Sequence, residues 1–500
     1  MKTKLIKFED INDSHKGFVL AYGHFTTIHA GHIRYLKYAK SRGKKLIVAL
    51  LNDNLENDND KYAFSQSERA EALNLLSIAN YIFLMEDKSF KEVVGFLEPS
   101  IIILGKEFEN SNDTKINDAI ALQISKNGQV EFHAGEINYL RPDLLHNTKS
   151  ELSEKRKKDF IDTCKKESIT KEKILSSIKD WQKSRLLVIG DTIIDQYAAC
   201  EPLGISAEAP VVVVKELQKK NFIGGAAIVA THIKSLGAEC IFLSVTGNDS
   251  LSNYINKELV NKGINTNLVK DQTRPTTLKK RYIVDNQKLF RVSKIEEHKL
   301  NKKVEDQVIS KLRLFAPKID GIVVSDFVYG VITKKILDEI QKLSKKYSLM
   351  LFGDLQCSSQ IGEITRLKNF SLICPNEKEA RIALRDKETG LEKLSQILIH
   401  ETKAKRLIMK LGAEGFIAYD ATTKRIKSQF FPALSVNPLD VTGAGDSLLA
   451  LMAVGLSSNL DMITTSAVGC CMTAIAVESM GNLPISQDKL ISKIINVFDK

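Results

Sequence analysis

Asp440-Val441-Thr442-Gly443-Ala444-Gly445-Asp446 runs directly into Ser447-Leu448-Leu449-Ala450. Two glycines within three positions let the backbone approach a ligand without Cβ obstruction, and the apolar run predicts a helix whose first-turn amides lack intrahelical partners. Such a helix start holds an anion. Asp446 stands at its rim, placed to take a proton from an attacking hydroxyl while the amides of Gly443, Ala444 and Gly445 and the helix dipole stabilise a phosphoryl group. The chemistry implied is phosphoryl transfer to an alcohol. Taken alone, the same letters also describe a glycine-rich turn with Asp446 as a helix cap.

Five hundred residues with 43% hydrophobic and 27% charged residues predict two or three α/β domains rather than one core. No apolar run approaches the ~20 residues of a membrane span, and the polar start MKTKLIKFEDIND does not resemble a signal peptide. A cytoplasmic chain with no membrane association is expected. Seven cysteines at irregular spacing, without CxxC, predict reduced thiols and no structural metal. The net charge of +11 is spread along the chain among acids; only Lys155-Arg156-Lys157-Lys158 is a basic run. No nucleic-acid partner is therefore expected.

Strand candidates Phe18 to Tyr22, Leu46 to Leu51, Tyr81 to Met85 and Ile101 to Leu104 alternate with helical patterns, so residues 1–146 read as a small doubly wound domain. Residues 147–183, rich in lysine and glutamate, read as a charged connector of exposed helices. Residues 184–500 read as a second α/β domain, with Gly190-Asp191 closing its first strand, Ile223 to Ala227 opening a helix, and buried strands at Ile322 to Val324, Leu349 to Phe352, Leu372 to Cys374 and Leu407 to Met409. Pro210 to Val214 and Lys279 to Val292 break the alternation and predict antiparallel strands off the main sheet, a lid.

At the end of the first strand, Gly23-x-Phe25 leads to His29-Ala30-Gly31-His32. Two imidazoles three residues apart share one side of a helix's first turn, suited to a nucleoside triphosphate whose α-phosphate is attacked; hydrogen-bonded interior histidines would give the same pattern. With Ser67-Glu68-Arg69 and Leu104-Gly105-Lys106-Glu107-Phe108, these motifs resemble the cytidylyltransferase-like nucleotidyltransferase superfamily, notably the adenylyltransferase half of bacterial ADP-heptose synthesis enzymes. The resemblance implies that His29 and His32 are catalytic and contact the triphosphate, that Gly23, Phe25, Gly31 and Arg69 assist, and that Gly105 and Glu107 lie near base and ribose. Thr26 stands where that family has Asp, and Glu136 to Leu145 replaces its hydroxyl-rich helix start.

Further pieces join the opening motif. Asp191 and Asp195 follow a strand and could accept hydrogen bonds from a polyol, Gly224-Gly225-Ala226-Ala227 allows close approach of a sugar, Asn376 and Glu379 suit magnesium and its waters, and Lys410-Leu411-Gly412-Ala413-Glu414-Gly415 forms a nucleotide-facing turn. Caps, small-residue helix packing and a plain hairpin would explain each one separately. In this order they resemble the PfkB (ribokinase-like) carbohydrate kinases, in particular the heptose-7-phosphate kinase half of the same bifunctional family, over about Arg185 to Gly481. The resemblance implies a three-layer α/β/α fold with a small β lid. It implies Asp446 as base, Gly443 to Gly445 as anion hole, Asp191, Asp195, Gly224, Gly225, Lys279 and Arg281 on the sugar, Asn376, Lys410, Gly412, Gly415 and Thr442 on ATP, and Asn376 and Glu379 near Mg2+. The lid would pair two subunits into a homodimer. Ile228 replaces an expected Asn, Asp326-Phe327-Val328-Tyr329-Gly330 and Asp354-Leu355-Gln356 each lack a lysine expected near phosphate, and the domain order is reversed.

The expectation is a bifunctional enzyme that uses ATP and a sugar phosphate to make an ADP-heptose-like activated sugar. The competing readings are a kinase alone, with the N-terminal domain a nucleotide sensor or relic, and a non-catalytic nucleotide- or nucleic-acid-binding protein.

Overall fold

The fold was obtained as a computed structural model. It describes residues 3–499 except 27, 29, 54–63, 87, 106, 107, 109–112, 134–148, 286, 357–361, 424 and 425. The chain divides into two compact units, residues 1–141 with 386–396, and residues 142–385 with 397–500.

In the first unit β1 (Lys4–Ile6), β2 (Val19–Gly23), β3 (Leu46–Leu51), β4 (Tyr81–Met85), β5 (Ile101–Gly105) and β6 (Gln129–His133) form one sheet ordered β1-β4-β3-β2-β5-β6. Every pairing is parallel. Apolar runs such as Leu46 to Leu50 are buried throughout, as expected of strands covered on both faces. The order reverses between β2 and β5, which opens the crevice where such sheets bind ligands. The Tyr35 hydroxyl pins the two strands together there: it accepts from Tyr22 N at 3.1 Å and lies 2.6 Å from Ile103 O.

The second unit is built on β7 (Arg185–Ile205), β8 (Val212–Gly225), β9 (Glu239–Thr246), β10 (Asn265–Lys270), β11 (Thr277–Val284), β12 (Gln287–Lys294), β13 (Gly321–Asp326), β14 (Met350–Leu355), β15 (Leu372–Ile373), β16 (Arg406–Lys410), β17 (Gly415–Asp420) and β18 (Lys427–Pro432). The main sheet runs β10-β9-β7-β13-β14-β15-β16-β17-β18, parallel up to β16 and antiparallel beyond. Its faces are covered by helices, among them Ala226–Ser235, Ala444–Ser457 and Met462–Ala476, whose side chains are nearly all buried.

Two sequence expectations need correction. The first strand does not close at Gly190-Asp191: β7, 21 residues long in all, leaves the main sheet and pairs antiparallel with β8 and parallel with β11. With β12 against β11, this makes a four-stranded lid. The polar residues beyond Asp191 continue as strand because the lid neighbours supply the ladder partners. The lysine-rich stretch before β7 does form helices, Lys149–Lys166 and Lys171–Ile178, but they are not exposed spacers. Phe160, Cys164, Ile174, Ile178 and Trp181 are buried in the core of the second unit, spaced so that one apolar stripe faces inward beneath the lysines.

Candidate functional sites

In the second unit a cleft of about 820 Å³ opens beside the start of the helix Ala444–Ser457, within the size range of small-molecule sites. Gly443 caps that helix at φ +86°, and a Cβ there would fall 1.7 Å from Asn482 Oδ1, so only glycine fits. Ser447 N bonds Gly443 O at 2.9 Å, the first regular helical bond. The amides of Gly445 and Asp446 precede it at the positive end of the dipole, on the cleft.

Asp446 lines the cleft yet is only 4% exposed. Burial pushes its carboxyl up to about 7, the nearby Asp354 carboxylate adds to this, and the Lys410 ammonium opposes it. A base poised there matches proton transfer at neutral pH. Gln356 Nε2 donates to Asp446 Oδ1 at 2.8 Å, fixing the carboxylate's orientation. Lys410 Nζ sits between the two oxygens of the fully buried Asp354, at 2.9 and 2.8 Å. Burial works against its charge, but Asp354 outweighs this and holds Lys410 protonated. Its Nζ is 3.4 Å from where a Cβ on Gly445 would stand, which brings a cation to the anion cradle.

The loop before the cradle is tied to the lid. Asp440, 3% exposed, accepts from Lys288 Nζ of β12 at 2.7 Å, from the Tyr197 hydroxyl of β7 at 2.7 Å, and from Gly481 N at 3.2 Å. Burial alone would raise its pKa; the hydrogen bonds from Lys288, Thr442 and Tyr197 win and hold it at about 2.

Of the two carboxylates expected on the sugar, Asp195 lines the cleft, ion-paired with Arg281. A Cβ on Gly224 would lie 2.2 Å from its Oδ2, so the glycine makes room for that carboxylate. Asp191 is engaged elsewhere: it accepts from the backbone of Phe327 at 2.8 Å, Tyr329 at 3.4 Å and Val331 at 3.3 Å. It anchors the loop after β13, which Arg274 Nη1 grips from another side through Tyr329 O at 2.9 Å. That loop holds Val328 at φ +63°, a costly conformation for a β-branched residue. Tyr329 and Phe327 instead present their rings to Lys279, whose Nζ lies 5.2 and 5.1 Å from the centroids. The buried Lys279, Gly225 and Phe327 line the cleft with Asp195.

Asn376 and Glu379 form a reciprocal capping box at the helix Glu377–Leu384, 2.8 Å in each direction. Both line the cleft with Gly412, Gly415 and Thr442. An amide and a carboxylate are hard oxygen donors that fit a Mg2+ ion, which takes one or two protein ligands beside phosphates and waters. Among the described residues no group of three or more His, Cys, Asp or Glu side chains could hold a metal alone.

In the first unit, several of the residues expected at the triphosphate stand at the carboxyl ends of the central strands and in the helix start beside them. Gly23 ends β2 and Gly105 ends β5. Phe25, at φ +51°, lays its ring against Gly23 and within 5.0 Å of the His32 ring. Gly31 and His32 lie in the first turn of the helix Ala30–Ser41. Arg69 is buried and holds the loops after β2 and β3: it donates to His24 O, to Leu51 O at 3.0 Å, and to Asp53 Oδ1 at 2.7 Å. His29, Glu107 and the stretch 136–145 lie outside the described residues.

Sequence reading passed over Gln356 and Asp354 except as a lysine missing from a motif, and did not single out Lys288, Tyr197 or Asn482. Nothing in their local sequence signals the role, because each comes from a distant element.

Residues 183–488 match the family model described as pfkB family carbohydrate kinase, and residues 20–127 match the cytidylyltransferase-like model. The first match spans more than half of the chain, which belongs to the pfkB family of carbohydrate kinases. The chain is 30% identical over 321 residues to the bifunctional protein HldE of Campylobacter jejuni (strain 81116), covering 62% of this chain and 65% of that one. To the protein of the same name from Geotalea uraniireducens it is 28% identical over 316 residues, 62% and 63% of the two chains. It thus spans just under two thirds of the length of these relatives. Among solved structures, phosphofructokinase-2 from Escherichia coli in complex with substrates and products superposes with a TM-score of 0.53 at 16% identity, over 63% of this chain and 99% of that one. A ribokinase-like structure from Agrobacterium tumefaciens gives 0.50 at 13%, over 63% and 99%. These likenesses concern the fold.

Proposed function

We propose that the chain is a bifunctional enzyme that phosphorylates the anomeric hydroxyl of a sugar phosphate with Mg·ATP, giving a sugar bisphosphate and ADP. Once a separate phosphatase has removed the other phosphate, the enzyme couples the sugar 1-phosphate to the nucleotidyl group of ATP with release of pyrophosphate, giving an ADP-heptose-like product. The observation that carries the first half is Asp446: a nearly buried carboxylate held near neutral pKa on the cleft, at the start of a helix whose amides and the Lys410 ammonium face the same space. Asp446 takes the proton of the anomeric hydroxyl, the oxygen attacks the γ-phosphate, and charge on the transferred group is met by the cradle Gly443 to Gly445 and by Lys410. Asp195, Arg281 and Lys279 orient the sugar phosphate. The cation and the lid arginine occupy the cleft that the two missing lysines would have served. Asn376 and Glu379 would hold Mg2+, whose role is to neutralise the nucleotide phosphates.

The second half rests on the crevice at the β2/β5 reversal, the match of residues 20–127, and the bifunctional relatives. His32, with His29, stabilises charge at the α-phosphate as pyrophosphate leaves. The lid strands carry exposed apolar side chains, Ile205 at 75%, Val212 at 61% and Leu217 at 61%, which support pairing of two lids in a homodimer.

Purified protein given Mg·ATP and a panel of sugar 7-phosphates and 6-phosphates should release ADP, and with ATP and the matching sugar 1-phosphate it should release pyrophosphate. ADP release without pyrophosphate under any nucleotide would leave a kinase alone; neither product would remove the reading.

A further inference from the structure

The basic run Lys155 to Lys158 lies before the segment that matches the kinase family, and its one arginine lines the cleft. In the helix Lys149–Lys166, Leu152, Arg156, Phe160 and Cys164 recur every four residues, on one face. The lower half of that face is sunk in the core: Phe160 is fully buried, 6.4 Å from the Phe431 ring and 6.0 Å from Phe498. The upper half, Leu152 and Arg156, lines the cleft that begins where the core ends.

The Arg156 side chain is only 11% exposed. Its Nη1 donates to Ala433 O at 3.1 Å and reaches Ser435 O at 3.5 Å, while Nη2 lies 3.8 Å from Glu414 Oε1. Those partners belong to two segments that wall one side of the cleft, the turn after β16 and the stretch after β18. Ala433 N bonds Glu414 O at 3.0 Å, so the two segments touch where the guanidinium braces both. Leu434, Val436 and Val477 make this end apolar, which suits a flat aromatic ring better than a phosphate or a polyol. The phosphate-binding groups, Lys410 and the cradle, lie along the rest of the cleft.

We infer that this preceding helix is part of the nucleotide site of the kinase unit, with Arg156 a positioning residue for the wall that receives the nucleobase and Leu152 in contact with the base itself. The inference rests on the proposed reading of the cleft as an ATP site and adds to it a helix that lies outside the family segment. A planar guanidinium braced by two carbonyls cannot be replaced by an ammonium, which offers neither the fork nor the flat face.

The test uses the full-length chain, with binding of ATP and GTP measured by calorimetry in the presence of Mg2+, alongside steady-state kinetics. Losing a charged hydrogen bond that shapes one wall should weaken ATP binding by about tenfold in Arg156→Ala, with the ATP KM rising equally while kcat and the sugar KM stay unchanged. Preference for ATP over GTP should shrink, Arg156→Lys should not restore it, and Lys155→Ala should behave as wild type. Leu152→Ala, which removes no brace, serves if Arg156→Ala does not fold, and should also weaken ATP without altering the sugar KM. Wild-type protein that binds no nucleotide would defeat the underlying reading; wild type that binds ATP while Arg156→Ala and Leu152→Ala bind it equally well would overturn this inference alone.

Discussion

Gln356 Nε2 donates a 2.8 Å hydrogen bond to Asp446 Oδ1 and stands 3.5 Å from Asp354 Oδ2. A neutral amide therefore occupies the position between two carboxylates where the resemblance to carbohydrate kinases implies a lysine. It orients the Asp446 carboxylate without neutralising it, and Lys410, at the carboxyl end of the parallel strand β16, supplies the cation.

That arrangement sets the acid limb of the kinase pH profile. Asp446 must be ionised to accept a proton, so kcat should rise with pH through about 7. Gln356→Lys places a positive charge beside the carboxylate and should move the limb to lower pH. Gln356→Ala removes the bond that favours the ionised form and should move it higher. Rates measured from pH 5 to 9 check both directions.

Stability should respond with the opposite sign. Folded Asp446 keeps its proton up to about pH 7, against an ordinary value of 3.8. Between those values the folded chain binds more protons than the unfolded one, so this group's contribution to stability falls as pH rises. Asp446→Asn, which never ionises, should melt a few degrees above wild type at pH 8 and level with it at pH 4. Thermal unfolding at the two pH values provides the comparison.

Asp440 behaves conversely. Its folded pKa of about 2 lies below the ordinary 3.8, so its stabilisation is present above about pH 4 and disappears as pH falls toward 2. Asp440→Asn should lower the melting temperature at pH 7 and have little effect near pH 2. Because Lys288 and Tyr197 reach Asp440 from the lid, Lys288→Ala should also raise the sugar KM more than the ATP KM. A sugar KM unchanged in that variant would disconnect the lid from the cradle.

Asp191 anchors a loop that contains Val328 in a left-handed conformation. Asp191→Ala should leave three buried amides without an acceptor and cost about 3 kcal/mol or more of stability. Val328→Gly relieves the backbone and should recover part of that loss. Chemical denaturation of the single and double variants measures the coupling.

The sequence made the continuous features of the fold readable. Leu46 to Leu51 and Tyr81 to Met85 are strands as expected, because unbroken apolar runs between turn residues leave few alternatives. The Gly443 to Asp446 junction does start a buried helix, for the same reason that glycine and a free first turn go together. What escaped notice depends on partners far away in the chain. The polar continuation of β7 becomes strand only because β8 and β11 flank it. Phe160 and Cys164 were obscured by the lysines around them. Asp191 and Asp195 differ by four positions, and nothing local says that one holds a loop while the other meets the cleft. Gln356 read as a loss because its value lies in a carboxylate ninety positions away.

The most direct measurement is sugar-dependent ADP release by Asp446→Asn beside wild type, with ATP binding followed by calorimetry in the same samples. Removing a general base should lower kcat by about 10² to 10⁴ while ATP still binds. Turnover by Asp446→Asn within a factor of about two of wild type, across pH 6 to 9, would contradict the role of this carboxylate as the base that hands a sugar hydroxyl to phosphate.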